Sequence, residues 1–240
     1  MIDKLRVFRG KPYTINDGIV IHQPTLDDIY EYGEQEYFSL VKTICATPAD
    51  RKVEIWEALH VYWDKIDEYD LFVSFFGAVQ RCDTAILFPE LDVKSFQPVV
   101  NQKTNEIILR NKDGVIIDRA IHALVTDYIR SVHKLKKNVD VGFDDYTKDI
   151  MIEDDKDERA AAQSKPFSSV LLPMVSSLTN CREFKYRFDD VWTMPVAAFL
   201  DASERIQKVK VSDYMMHGIY SGCVDIKKIN KKDLNWMGEL

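Results

Sequence analysis

Apolar positions in this chain recur mostly every three to four residues, the repeat that places them on one side of an α-helix. Leu26, Ile29, Tyr30 and Gly33 follow that spacing, and Tyr37, Leu40, Val41 and Ile44 continue it. Thr25 precedes the first run as a good N-cap, with Asp28 three residues on, where a capping-box acid belongs. Thr47-Pro48 opens a further helix, because Thr caps well and the missing N–H of Pro costs nothing at the first helical position. Val53, Trp56, Ala58, Leu59 and Tyr62 or Trp63 supply its apolar side. The segment 67–80 holds Leu71-Phe72-Val73-Ser74-Phe75-Phe76, apolar on most sides, so its helix is expected at the centre.

The period changes elsewhere. Residues 5–22 read as short β structure, with Asn16-Asp17-Gly18 as a turn and Ile19-Val20-Ile21 as a buried strand. Residues 85–89 read as a short extended piece. Glu106–Arg110, the turn Asn111-Lys112-Asp113-Gly114 and Val115–Ile117 spell a β-hairpin, since Asp-Gly suits a primed or bulged turn. Asp118 caps the next helix, on which Ala120, Leu124, Tyr128, Val132 and Leu135 step along one face. His133, Lys134, Lys136 and Lys137 at its end complement the helix dipole. After a loop over 140–145, residues 147–163 form a highly charged helix that Pro166 closes. Residues 168–177 and 193–210 read as two helices. Between them, 183–188 alternates charged and aromatic residues, as a strand or an exposed aromatic loop would.

These elements predict an α+β, predominantly helical fold, with a helical body, a short N-terminal β element and a central β-hairpin. The expected regions are 1–140, which includes the hairpin 106–117, a charged linker or arm over 141–166, and a C-terminal helical region over 167–240 packed as one unit with the first. The scarcity of Gly (9) and Pro (8) favours long helices over a many-turned β-sandwich. A formal net charge of -7 argues against a nucleic-acid coat, which needs clustered cations. Met1-Ile2-Asp3-Lys4-Leu5-Arg6 is charged and lacks the apolar stretch of a signal peptide, and no apolar run approaches the roughly 18 residues of a membrane span. Cys45, Cys82, Cys181 and Cys223 are widely spaced with no CxxC, and they read as buried thiols in a reducing compartment.

Candidate chemistry is sparse. His22, His60, His122, His133 and His217 contain no HxxxH or HExxH pair, and each reads as a surface or boundary residue. Ser221-Gly222-Cys223 lacks the context of a nucleophile elbow and reads as a turn. The acidic run 153–158 lacks the alternation and central Gly of a calcium loop. It reads as a solvated helix face or, alternatively, a docking surface for a basic partner. No catalytic residue, metal ligand or cofactor site is assigned. The expectation is a non-enzyme without a small-molecule substrate, a site assembled from distant residues being the outlying alternative. The candidate partner-binding residues are aromatic, because aromatics dominate interfaces. They are Phe72, Phe75 and Phe76 if exposed, and otherwise Phe184, Tyr186 and Trp192, which with Phe188 read first as core and, if several are exposed, as a binding patch. Trp236 joins Lys227, Lys228, Lys231 and Lys232 in a basic–aromatic cluster, read as a partner-protein contact or a solvated tail.

Several strings together carry a resemblance. They are Gln23-Pro24-Thr25-Leu26-Asp27-Asp28-Ile29-Tyr30-Glu31-Tyr32-Gly33-Glu34, then Tyr37-Phe38-Ser39, Thr47-Pro48, the helix and lysines of 118–136, and Ile152-Glu153-Asp154-Asp155. Leu171-Leu172-Pro173-Met174-Val175-Ser176-Ser177, Gly218-Ile219-Tyr220-Ser221-Gly222 and 229–236 complete the set. Over most of its length the chain resembles a group of structural-block proteins, tail-assembly-chaperone-like, from long-tailed bacteriophages of Gram-positive hosts. The resemblance implies a morphogenesis protein, present in the host cytoplasm during assembly, whose partners are the tape-measure and tail-tube proteins or further copies of itself. Chaperones of this kind coat the long tape-measure helix before the tube polymerises. The hairpin and the length depart from the simplest such chaperone, which leaves a permanent virion component, a head–tail connector or tail protein, as the alternative.

Overall fold

Short polar residues fix most of the helix starts. The computed structural model describes residues 2–102, 104–225, 227 and 229–238. Thr25 caps α2 (Leu26–Tyr32): its Oγ1 accepts from the Asp28 N–H, and the Asp28 carboxylate accepts from the Thr25 N–H at 2.8 Å. Gly33, at φ 100°, turns the chain into α3 (Glu34–Ile44). Thr47 and Asp50 repeat the capping box, but the turn they open is a 3₁₀ turn, Pro48–Arg51, that leads into α4 (Lys52–Leu59). Asp67 caps α5 (Glu68–Arg81) and Asp118 caps α6 (Arg119–His133).

The fold is α+β and predominantly helical. Strands β1 (Tyr13–Asn16) and β2 (Ile19–Ile21) pair antiparallel across the expected Asn-Asp-Gly turn. The central hairpin is β4 (Ile107–Arg110) with β5 (Ile116–Ile117), Leu109 facing Ile117. A strand that the pattern did not signal, β3 (Gln97–Val100), extends it to the order β3-β4-β5. Asn101 donates inward to the Glu106 carbonyl, so by alternation Pro98 and Val100 face the open edge. Pro98 has no N–H to offer there, which blunts that edge against further strand pairing.

Four local expectations are corrected. Residues 5–8, expected as β, belong to helix α1 (Lys4–Phe8), because the Asp3 carboxylate accepts from the N–H groups of Leu5 and Arg6. Residues 85–89 are turns rather than extended: the Thr84 carbonyl accepts from Leu87 and Phe88. On α4 the buried residues are Val53 and Ile55, whereas Ala58 and Leu59 face out. On α6 the inner face is His122, Val125, Ile129 and Val132, with Ala120, Leu124 and Leu135 exposed. That helix lies against α5, β1 and β5 together, so a broader and rotated face is covered.

Buried residues from Val7 to Phe199 make one continuous cluster. It includes α8 (Leu171–Thr179), α9 (Phe188–Trp192) and the start of α10 (Val196–Tyr220). Helix α7 (Asp145–Gln163) lies along α4 over a second cluster of Val53, Ile55, Trp63, Leu71 and Ile152. Arg159 bridges Glu54 and Asp155 at 2.6 and 2.9 Å, and Lys148 meets Asp64 at 2.8 Å. The segment expected as a linker or arm is thus laid against the helical body. Helix α10 runs well beyond residue 210, and α11 (Lys231–Leu234) folds back on it, with Ser212 Oγ donating to the Leu234 carbonyl at 3.0 Å.

Two histidines expected at the surface or its boundary are interior. His133 Nδ1 donates to the Ile129 carbonyl at 2.7 Å, which leaves Nε2 to accept from the Tyr37 hydroxyl at 2.5 Å. His122 stands in apolar surroundings, 4.3 Å from the Phe72 ring centroid, and its Nε2 has no partner. Burial lowers both to a pKa of about 4. Since an unfolded histidine titrates near 6.5, the unfolded chain takes up the proton first. Stability from these two groups is complete above pH 6.5 and falls between 6.5 and 4, by up to about 1.4 kcal/mol per pH unit for each. Urea unfolding across that range is expected to show the slope, and His122→Leu is expected to flatten it by one histidine without loss of stability at pH 7. Gly10→Ala is expected to cost more than about 1 kcal/mol in the same assay. Gly10 has φ +64°, and an added Cβ would lie 2.5 Å from Pro195 Cγ.

Candidate functional site

An open apolar groove of about 720 Å³ runs between α2, α8 and α9. Its α2 wall is Leu26 and Tyr30, four residues apart on one helical face, with Glu34 beyond the Gly33 turn at the start of α3. Its α8 wall is Leu171, Leu172, Val175, Ser176 and Thr179, and α9 closes the groove with Phe188 and Trp192. The floor (Leu26, Leu171, Val175) is buried core, but Tyr30, Leu172 and Phe188 are 68%, 69% and 59% exposed. Trp192 holds the aromatic wall together, with ring centroids 6.1 Å from Tyr30 and 6.0 Å from Phe188, both edge-on.

The groove keeps its shape because Glu34 caps a distant helix. Its Oε1 accepts from the N–H groups of Val170 and Leu171 at 2.6 and 2.8 Å, and its Oε2 from the Ser169 hydroxyl at 2.5 Å. Ser169 Oγ in turn accepts from the Leu172 N–H at 2.9 Å. The first N–H groups of α8 have no partner within the helix, and a carboxylate there meets both those donors and the positive end of the dipole. One acidic side chain therefore pins the α8 wall to the α2–α3 corner.

The aromatic candidates separate. Phe72 and Phe76 on α5 pack into the main core, Phe76 being 4% exposed. Phe75 is half-buried against the satellite cluster. Phe184 is buried, with the 54% exposed Tyr186 ring 5.4 Å away. Trp192 lines the groove, together with Phe188 of the same aromatic group. Trp236 is exposed, near the end of the described chain, and its carbonyl accepts from Arg205. Of its basic neighbours, Lys228 lies outside the described residues. Residues 183–187 form a loop, the aromatic-loop alternative for that segment.

Tyr30 and Leu172 are groove residues that were not named as partner-binding candidates, whereas Phe188 was named within the aromatic group around Trp192. A signal for Leu172 was present: Leu171 and Leu172 are adjacent, and on a helix they point about 100° apart, so only one can face the core.

Among the described residues, no group of three His, Cys, Asp or Glu side chains could hold a metal ion. The thiols are free; Cys45 is buried, and burial pushes it up to about 12, while Cys82 and Cys181 are half-buried. Cys223, expected buried, is exposed after the end of α10, where α11 leaves it uncovered. Comparison with protein-family models, curated proteins and solved structures gives no match.

Replacing Glu34 by Ala removes three charge-assisted hydrogen bonds and is expected to cost about 2 kcal/mol. Hydrogen exchange is the discriminating readout, with amides of 171–179 losing protection while those of α6 keep theirs.

Proposed function

We propose that this chain is a non-enzymatic bacteriophage morphogenesis protein, a tail-assembly chaperone that holds helical segments of the tape-measure protein before the tail tube closes round them. The groove between α2, α8 and α9 is the holding surface. What supports the reading is that two of the strings that carry the phage resemblance, 23–34 and 171–177, are the ones that supply the α2 and α8 walls. A helix laid in such a groove buries apolar side chains spaced three and four apart. Exposed Tyr30, Leu172 and Phe188, which gain nothing in water, would then be covered. The place of action is the host cytoplasm during assembly. No described helix is long and apolar enough to cross a membrane.

A second reading, a permanent virion component such as a head–tail connector or tail protein, is favoured by one feature. Val139, Val141 and Phe143 before α7, and Tyr146 in its first turn, are exposed apolar side chains close in sequence, with Phe143 97% exposed. Such side chains would suit a contact between subunits.

Co-expression with the tape-measure protein of the same phage is expected to give a complex that co-elutes on size exclusion. Leu172→Asp with Tyr30→Asp is expected to abolish it. No complex with the unaltered protein would remove the chaperone reading. Mass spectrometry of purified particles separates the two readings: stoichiometric peptides of this chain would make it a virion component.

A further inference from the structure

We infer that the groove takes an amphipathic helix whose apolar stripe is flanked by lysine or arginine. This rests on the groove being the partner-binding surface. Helix α8 spans nine residues, so an occupant lying along it presents about two to three turns, or apolar side chains at i, i+3 or i+4, and i+7. The groove supplies aromatic and aliphatic walls for such a stripe.

Charge then selects among helices. The one charged lining residue is Glu34, whose two oxygens are already taken by Ser169, Val170 and Leu171. It has little to offer a partner. The rim differs. Asp27 and Glu31 follow the groove residues Leu26 and Tyr30 on α2, Asp189 follows Phe188 on α9, and all three are exposed. Asp28 and Asp190 are acidic too but are engaged at their helix starts by Thr25 and Arg187. None of α2, α8 and α9 carries a lysine or arginine. The cations Lys185 and Arg187 precede α9 rather than lie on it. A helix flanked by acids would face like charges along two walls, whereas one flanked by cations meets complementary charge. Because the rim is solvent-exposed, this selectivity is sensitive to salt.

The test uses the full chain and two synthetic peptides of about twelve residues, capped at both ends. Both carry leucine at i, i+3, i+4 and i+7; one has lysine at the flanking positions and the other glutamate. Calorimetric titration is expected to show the lysine peptide binding about tenfold more tightly, the gap closing between about 50 and 500 mM salt. Asp27→Asn, Glu31→Gln and Asp189→Asn together are expected to erase the preference while weak binding of both peptides remains. Leu172→Asp, which adds negative charge but spoils the apolar wall, is expected to abolish binding of both. Equal affinities, tighter binding of the glutamate peptide, absence of binding by either, or binding that survives Leu172→Asp would each overturn the inference. Selective capture of the lysine peptide by a protein that forms no complex with the tape measure would sustain the groove's chemistry and reject the phage assignment.

Discussion

The segment His22–Leu26, extended up to Thr25 and entering α2 at Leu26, is the piece on which the remaining structure depends. Its backbone donates from His22 to the Leu87 carbonyl and from Leu26 to the Met194 carbonyl, and the Pro24 carbonyl accepts from Val196. Gln23 adds two side-chain bonds, donating to the Val7 carbonyl at 3.0 Å and accepting from the Ala197 N–H at 3.1 Å. Five residues thus join α1, the turn before β3, and the junction of α9 with α10. Buried peptide groups must be paired somewhere, and here the pairing is between chain segments about 170 residues apart. The same bridge places α2 beside α9, so the groove is a consequence of it.

A buried polar set around α6 complements that bridge. Arg130 donates to the Cys45 carbonyl at 2.7 Å and to Glu68 at 2.5 Å, and Lys137 also meets Glu68. These cations hold the Glu68 carboxyl below its usual range against the opposing effect of burial. With the Tyr37–His133 bond, they tie α6 to α3 and α5. Breaking such a set is costly because each partner left behind is a polar group without water. Helix α3 is therefore fixed from two directions, by α6 through Tyr37 and the Cys45 carbonyl, and through Glu34 to α8 at its start. A groove wall held in this way can receive a helix without first being ordered, which lowers the cost of binding.

Local chemistry was legible where it is settled within a few residues. The capping box at Thr25, the caps at Thr47 and Asp118, and the turns at Asn16-Asp17-Gly18 and 111–114 lie where the side chains predict, because donor and acceptor are at most four positions apart. The helical character and the central hairpin follow from the same local signals. Periodicity failed where more than one neighbour covers a helix. Of the expected stripe on α6, Tyr128 and Val132 are buried, but Ala120 and Leu124, and Leu135 beyond the helix, face outward, since α5, β1 and β5 together cover a face that includes His122 and Val125. Strand β3 gave no signal because an edge strand needs neither alternation nor burial, and its residues are exposed on both faces.

The groove was legible only in fragments. Trp192 could be named as a candidate from its aromatic character, but nothing near it in sequence says that Tyr30 lies against it, or that Glu34 caps a helix more than 130 residues away. By itself the sequence determined where many of the helices and both hairpin turns begin and that the chain is helical with small sheets, because those depend on contacts within one or two turns. The tertiary structure alone decided which of two adjacent leucines faces out at 171 and 172, which histidines lose their water, and that α2, α8 and α9 meet to form one surface. Those outcomes depend on pairings between distant segments, and no local pattern encodes which distant segment will arrive.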